Sequence, residues 1–217
     1  MCAGVPSREG PPTRIKVIGK AISQTVARFP FLWRFLRTPT RRFFDRAAPG
    51  WDKRLQPDSQ RRLAALAMAI EHLDSVPERI LDLGTGTGTA ALWLADRFPE
   101  AEIVGVDLAP AMIAEARDKL GPELAGRMRF EVADASDLSH LGSFDLVVQV
   151  NVPVFFGAIA EALRPGGHVA IVSTLGPATP FHTPTPVLER GFRRRGLVDA
   201  VAGEGGAGTY FVAHRPV

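Results

Sequence analysis

The chain has 217 residues, 46% of them apolar and 23% charged, which suits one α/β unit with a buried core and argues against disorder. A single cysteine, Cys2, excludes an intrachain disulfide framework and a cysteine-rich zinc site. The net charge of +3 is unevenly spread: residues 1–62 hold 14 Lys or Arg against four acids, and the remainder holds 12 against 19.

Such a basic end suits anionic lipid, nucleic acid, an anionic substrate or the acidic remainder of the same chain. No apolar run reaches the roughly 20 residues of a membrane span. Ser7, Arg8 and Glu9 interrupt the N-terminus, so no secretion-signal core is expected and the expected setting is the reducing cytoplasm.

Taken in order, residues 1–13 carry Gly4, Pro6, Gly10, Pro11 and Pro12 and read as a flexible tail. Ile15, Ile18, Ile22 and Val26 recur at helical spacing, with Lys16, Lys20 and Gln24 on the other face, until Pro30 ends the helix. Residues 31–44 mix Phe31, Trp33, Phe35, Phe43 and Phe44 with Arg34, Arg37, Arg41 and Arg42. Residues 14–56 are therefore expected to form a basic, aromatic-rich helical flap. It either packs over the main domain or also touches membrane or roofs a hydrophobic substrate. A further helix is expected from Pro57 to Leu73, with Asp58 or Ser59 near its start.

After Pro77, strands and helices alternate. Strands are expected at Ile80–Leu83, Glu102–Val106, Met128–Val132, Phe144–Val150 and His168–Ser173. Helices are expected at Thr89–Phe98, Pro110–Leu120 and Val154–Leu163, the last stopped by Pro165-Gly166-Gly167. Strict alternation implies a doubly wound α/β sheet, mostly parallel, across residues 57–217. A Pro-rich loop and a short helix to Arg195 follow. Leu197–Ala202 and Thr209–His214 then flank a Gly-rich turn, so the last strand should run antiparallel.

The local signal richest in chemistry is Leu81-Asp82-Leu83-Gly84-Thr85-Gly86-Thr87-Gly88, between a strand and a helix. Glycines there let backbone N–H groups approach a ligand. The third glycine comes one residue too early for a dinucleotide loop, and no Lys-Ser/Thr pair follows, which excludes a Walker loop. Asp107 ends the next strand, where a carboxylate accepts from a ribose diol; a helix N-cap is its other reading.

These segments resemble the class I S-adenosylmethionine-dependent methyltransferases. Ile80 to Gly88 is similar to their first motif, and Val104-Gly105-Val106-Asp107-Leu108-Ala109-Pro110-Ala111-Met112 to the second. Phe130-Glu131-Val132-Ala133-Asp134-Ala135 is similar to the third, and Phe144 to Val148 with Leu163 to Val169 to the fourth and fifth. The resemblance runs from about Trp51 to the C-terminus. Phe43 to Asp52 further resembles the leading segment of the quinone-biosynthesis, small-molecule branch.

The resemblance implies a seven-stranded sheet and S-adenosylmethionine as cofactor. Backbone of Gly84, Thr85, Gly86 and Gly88 would lie along the methionine part, with Asp82 near its ammonium group. Asp107 would hold the ribose, and Leu108 and Met112 would wall the adenine. Asp134 would accept from the adenine amino group, Ala135 would donate its backbone N–H, and Gln149 would border the sulfonium.

Methyl transfer needs alignment more than a fixed triad. Acceptor-side candidates are Asn151, Ser173, Thr174 and His182, the last as a general base or an ordinary loop histidine. His168 reads as structural, and His72, His140 and His214 lack ligand spacing, so no metal is expected. Asn151-Val152-Pro153-Val154 matches an amino-methylating nucleic-acid motif only at its first and third positions. Val154 stands where a base-stacking aromatic belongs, so no nucleic-acid partner is expected. The expected partner is a small apolar or aromatic acceptor. The rival reading is a non-catalytic cofactor-binding module recruited to membrane or a protein by its basic end. A nicotinamide-dependent oxidoreductase is disfavoured by the early third glycine.

Overall fold

The computed structural model describes residues 13–55 and 59–217. The expected tail up to Pro12, Cys2, the expected helix start at Pro57–Asp58 and the side chains of Ile15 and Lys16 lie outside the described residues.

Seven strands form one sheet: β1 (Arg79–Leu83), β2 (Glu102–Asp107), β3 (Met128–Val132), β4 (Phe144–Val150), β5 (Leu163–Ser173), β6 (Val198–Gly205) and β7 (Gly208–His214). Their order is β3-β2-β1-β4-β5-β7-β6. β1 to β5 pair parallel, while β7 runs antiparallel to both β5 and β6. This is the expected doubly wound sheet with an antiparallel last strand.

Successive strand residues divide between two cores, as a period of two requires. Ile80, Ile103, Leu146 and Val148 meet α4 (Ser59–Ile70), α5 (Thr89–Arg97) and α6 (Pro110–Asp118) on one face. Leu81, Val104, Val147 and Phe211 meet α7 (Phe156–Ala162) and α8 (Thr185–Arg193) on the other. β5 starts five residues earlier than the sequence suggests. Leu163 already pairs with Phe144, and the register jumps to His168 opposite Leu146, so Pro165-Gly166-Gly167 lies within an irregular stretch of the strand.

Before the sheet come α1 (Thr13–Arg28), a 3₁₀ turn at Pro30–Leu32, α2 (Trp33–Ala47) and α3 (Trp51–Leu55). α2 runs through Pro39. One expectation fails in α1: Ile18 is 60% exposed, and the inward face is Gly19, Ser23 and Val26 with Ile22 at its edge. The cause is steric. A Cβ on Gly19 would come within 2.6 Å of Pro180, so only glycine lets the helix settle on the Pro-rich loop. Val26 and Trp33 then close a small core with Phe155, while Ala48 joins Ala109 and Met112.

Candidate active site in the crevice under the flap

The carboxyl ends of β1 to β5 open into a cavity of about 550 Å³, roofed by α2 and α3. It spans the break in strand order between β1 and β4, where open α/β sheets bind ligands.

Its floor is the glycine loop. Gly84 and Thr85 N–H groups both donate to Val106 carbonyl, at 2.8 and 2.9 Å, which folds the loop back over β2. Gly84 has φ +75°, and a Cβ there would fall 2.2 Å from the Val152 side chain. The position therefore needs glycine twice over. Asp107 accepts from Gly86 N–H at 3.0 Å and Ala109 N–H at 2.8 Å, so it braces the loop and the start of α6 while facing the cavity. Burial raises its pKa above the ordinary value, opposed by those backbone donors.

Asp82 is 1% exposed. Thr85 hydroxyl donates to its Oδ2 at 2.6 Å, but Oδ1 is buried with no donor, on a residue that lines the cavity. Burial is the main cause that pushes its pKa up to about 6. A buried carboxylate oxygen without a donor is a place for a cationic or N–H group of a ligand.

The roof is aromatic. Trp33, Phe44, Trp51, Phe155 and Phe181 all line the cavity. Trp33 meets Phe155 edge-on at 5.1 Å, and Phe44 touches both Trp51 and Phe181. Trp33 Nε1–H donates to Asp134 Oδ1 at 2.7 Å, and Arg37 lies 3.6 Å from Oδ2. α3 is tied to the glycine loop as well. Thr87 hydroxyl donates to Asp52 at 2.6 Å, and Lys119 pairs with Asp52 while donating to Thr87 carbonyl at 2.6 Å.

Of the residues singled out in the sequence, Asp82, Gly84, Thr85, Gly86, Asp107, Leu108, Met112, Ala135, Asn151 and Thr174 line this one cavity. Five others do not. Gly88 opens α5 and packs on Phe130. Asp134 is engaged by Trp33, Arg37 and Ser136. Gln149 is fully buried, its Nε2 donating to Val152 carbonyl at 2.7 Å. Ser173 and His182 face each other at 3.2 Å behind the cavity wall, with burial holding the His182 pKa below its usual value. Asn151 and Thr174 spend their polar atoms on each other, in two 2.9 Å hydrogen bonds that join the ends of β4 and β5.

Sequence reasoning missed Thr40, Arg62, Lys119 and Phe181, which line the cavity from distant positions and belong to no motif, and it gave no site role to Asp52, the last residue of the Phe43–Asp52 segment. It also treated His168 and His214 apart. They are register partners on β5 and β7, with Asp74 3.2 Å from His168 and Asp199 3.6 Å from His214. One nitrogen of each ring and one oxygen of Asp74 lie within 4.8 Å of one another, so His214 has the neighbours that linear spacing hides. Among the described residues no helix is long and apolar enough to cross a membrane.

Residues 80–167 match the family described as methyltransferase domain. Over that stretch the chain is similar to methyltransferase domains. Over 108 residues it is 39% identical to the magnesium-protoporphyrin O-methyltransferase of Rhodobacter capsulatus, covering 48% of this chain and 47% of that protein. Over 109 residues it is 41% identical to the demethylmenaquinone methyltransferase of Thermus thermophilus, covering 46% and 49%. The chain spans about half the length of these curated relatives. The fold is also that of magnesium protoporphyrin IX methyltransferase from Synechocystis PCC 6803, solved with bound S-adenosylhomocysteine (SAH). That match has a TM-score of 0.63 and 17% identity, and covers 82% of this chain and 99% of that one. The likeness in fold thus covers more of the chain than the matched stretch.

Proposed function

We propose that the protein is an S-adenosylmethionine-dependent methyltransferase for a small acceptor with an apolar or aromatic body, acting in the cytoplasm. The observation that carries this reading is the convergence in one cavity of a donorless buried carboxylate oxygen on Asp82, the Gly84–Gly86 backbone and Asp107. The residues fit the cofactor. Asp82 Oδ1, buried without a donor, would accept from the ammonium group, Asp107 keeps lone pairs for the ribose hydroxyls, and Leu108 and Met112 supply an apolar wall with Ala135 beside it. Asp134, off the cavity lining with Oδ1 taken by Trp33 and Ser136 and Arg37 beside Oδ2, would reach the adenine amino group only after Trp33 and Arg37 shift.

When bound, the cofactor supplies a methyl carbon activated by positive sulfur. The chain's own contribution is then alignment and exclusion of water. Phe44, Trp51 and Phe181 would hold the acceptor's flat body. The flap, residues 14–56, would close the cavity through the Trp33–Asp134 and Asp52–Lys119 ties. With their polar atoms turned to each other, Asn151 and Thr174 would shape the wall. His182, behind that wall, would reach an acceptor only after the Pro-rich loop shifts. Isothermal titration with SAH tests the cofactor reading, and transfer of labelled methyl to cell-extract metabolites tests the activity. No SAH binding would refute both.

We also propose a peripheral contact of the flap with anionic membrane. Phe31 and Phe35 are each 62% exposed, beside Arg28 and Arg34, whose guanidinium groups sit over Phe29 and Phe35. From Gly10 to Phe44 the sequence has no acid. Aromatic rings with arginines at one helix corner suit the lipid headgroup layer. Cosedimentation with phosphatidylserine vesicles, lost on replacing Phe31 and Phe35 by serine, is the expected result; equal binding to neutral vesicles would refute it.

A further inference from the structure

Arg62 lies in the first turns of α4 and lines the cavity beside Leu63. α4 packs across β5, β6 and β7. Arg62 therefore enters from the side away from β2 and β3, where Asp107 and Leu108 stand. Its Nε is buried and has no hydrogen-bond partner, and no carboxylate among the described residues pairs with its guanidinium group. The other cation of the cavity, Lys119, is committed to Asp52 and Thr87. On α2, Thr40 Oγ1 is likewise buried, without a partner and on a cavity-lining residue.

A buried guanidinium N–H with nothing to donate to is costly, and it is relieved by an acceptor that arrives with the ligand. Guanidinium geometry matches a carboxylate, which accepts two parallel N–H bonds. The surroundings limit the ligand further. Phe44, Trp51 and Phe181 give the same cavity an apolar, flat-sided roof. Asp52, Asp82 and Asp107 already place negative charge around the cavity, which favours a singly charged anion over a phosphate dianion.

We infer that the acceptor is an organic acid, its carboxylate held by Arg62 and its apolar body packed under the flap. This rests on the methyltransferase reading for the word acceptor, but the binding preference can be measured without any turnover.

The test is isothermal titration of the full chain, with and without SAH, against 2-naphthoate and its neutral isostere 2-naphthamide. The acid is expected to bind at least tenfold more tightly than the amide. Arg62→Met should remove that preference while leaving SAH affinity unchanged, and Arg62→Lys should keep part of it. Equal affinities in the wild type, no binding of the acid, or a preference that survives Arg62→Met would overturn the inference. Should Arg62→Met fail to fold, the wild-type comparison and Arg62→Lys decide it. Absent SAH binding would instead refute the methyltransferase reading, and the acid–amide comparison would still stand.

Discussion

On its sheet side the cavity is walled by backbone: a loop from Gly84 to Gly88 held over β2, with Asp107 bracing it through two N–H groups. On its flap side it is walled by long side chains from α2 and α3, pinned to the sheet side at Asp134, Thr87 and Lys119. The first wall depends on conformations that few residues adopt, so its sequence is contiguous and constrained. The second depends on size and apolarity, which many residues supply, so its sequence is scattered. Substitutions should therefore act differently on the two walls: through folding and cofactor affinity on one, through closure on the other.

The largest effect is expected at Gly84→Ala. The new Cβ would meet Val152 at a positive φ, and strain with overpacking together should cost about 3 kcal/mol, read by urea unfolding. Asp107→Ala should follow, weakening SAH about a hundredfold, or about 2.7 kcal/mol, by titration calorimetry; unchanged affinity would sever Asp107 from the ligand.

Next comes pH. With its pKa raised to about 6, Asp82 binds a proton more readily in the folded than in the unfolded chain. The unliganded protein should thus lose stability as pH rises from the unfolded value of 3.8 through 6, about 1 kcal/mol of it between pH 5 and 7.5. SAH, whose ammonium group favours the ionised form, should bind about tenfold more tightly at pH 7.5 than at pH 5. Asp82→Asn should flatten both profiles.

On the flap side, Trp33→Phe keeps the ring against Phe155 but removes the donor to Asp134. It should cost about 1 kcal/mol and raise protease sensitivity in α2, with SAH affinity within threefold. Smallest should be Lys119→Met. Its pair with Asp52 is partly solvated and worth about 0.5 kcal/mol, detectable as faster hydrogen exchange in α3. If Trp33→Phe proves costlier for SAH than Asp107→Ala, the contrast between the walls is wrong.

The sheet and its glycine loop were legible because their causes are local. Strand alternation reports two buried faces, and the glycines report a turn that side chains would obstruct. The flap was legible as helices but not as a surface. Ile18 reads as inward by spacing alone, whereas the face is chosen by Gly19 fitting Pro180, a contact 161 residues away in sequence. Arg62, Thr40 and Phe181 gave no signal because nothing in their neighbourhoods distinguishes a cavity wall from an ordinary helix or loop. Asp134 shows a mixed case: its motif marked a ligand position, but only the fold brings Trp33 to it.

The strap from Asp52 through Thr87 to Lys119 has a kinetic consequence. It joins the roof to the glycine loop, so a nucleoside bound there as proposed would exchange faster once the strap opens. The proposed acid, held at Arg62 on α4, would meet no such fastening. Binding should then be ordered, nucleoside first in and last out, and product-inhibition patterns with SAH should be competitive against S-adenosylmethionine alone.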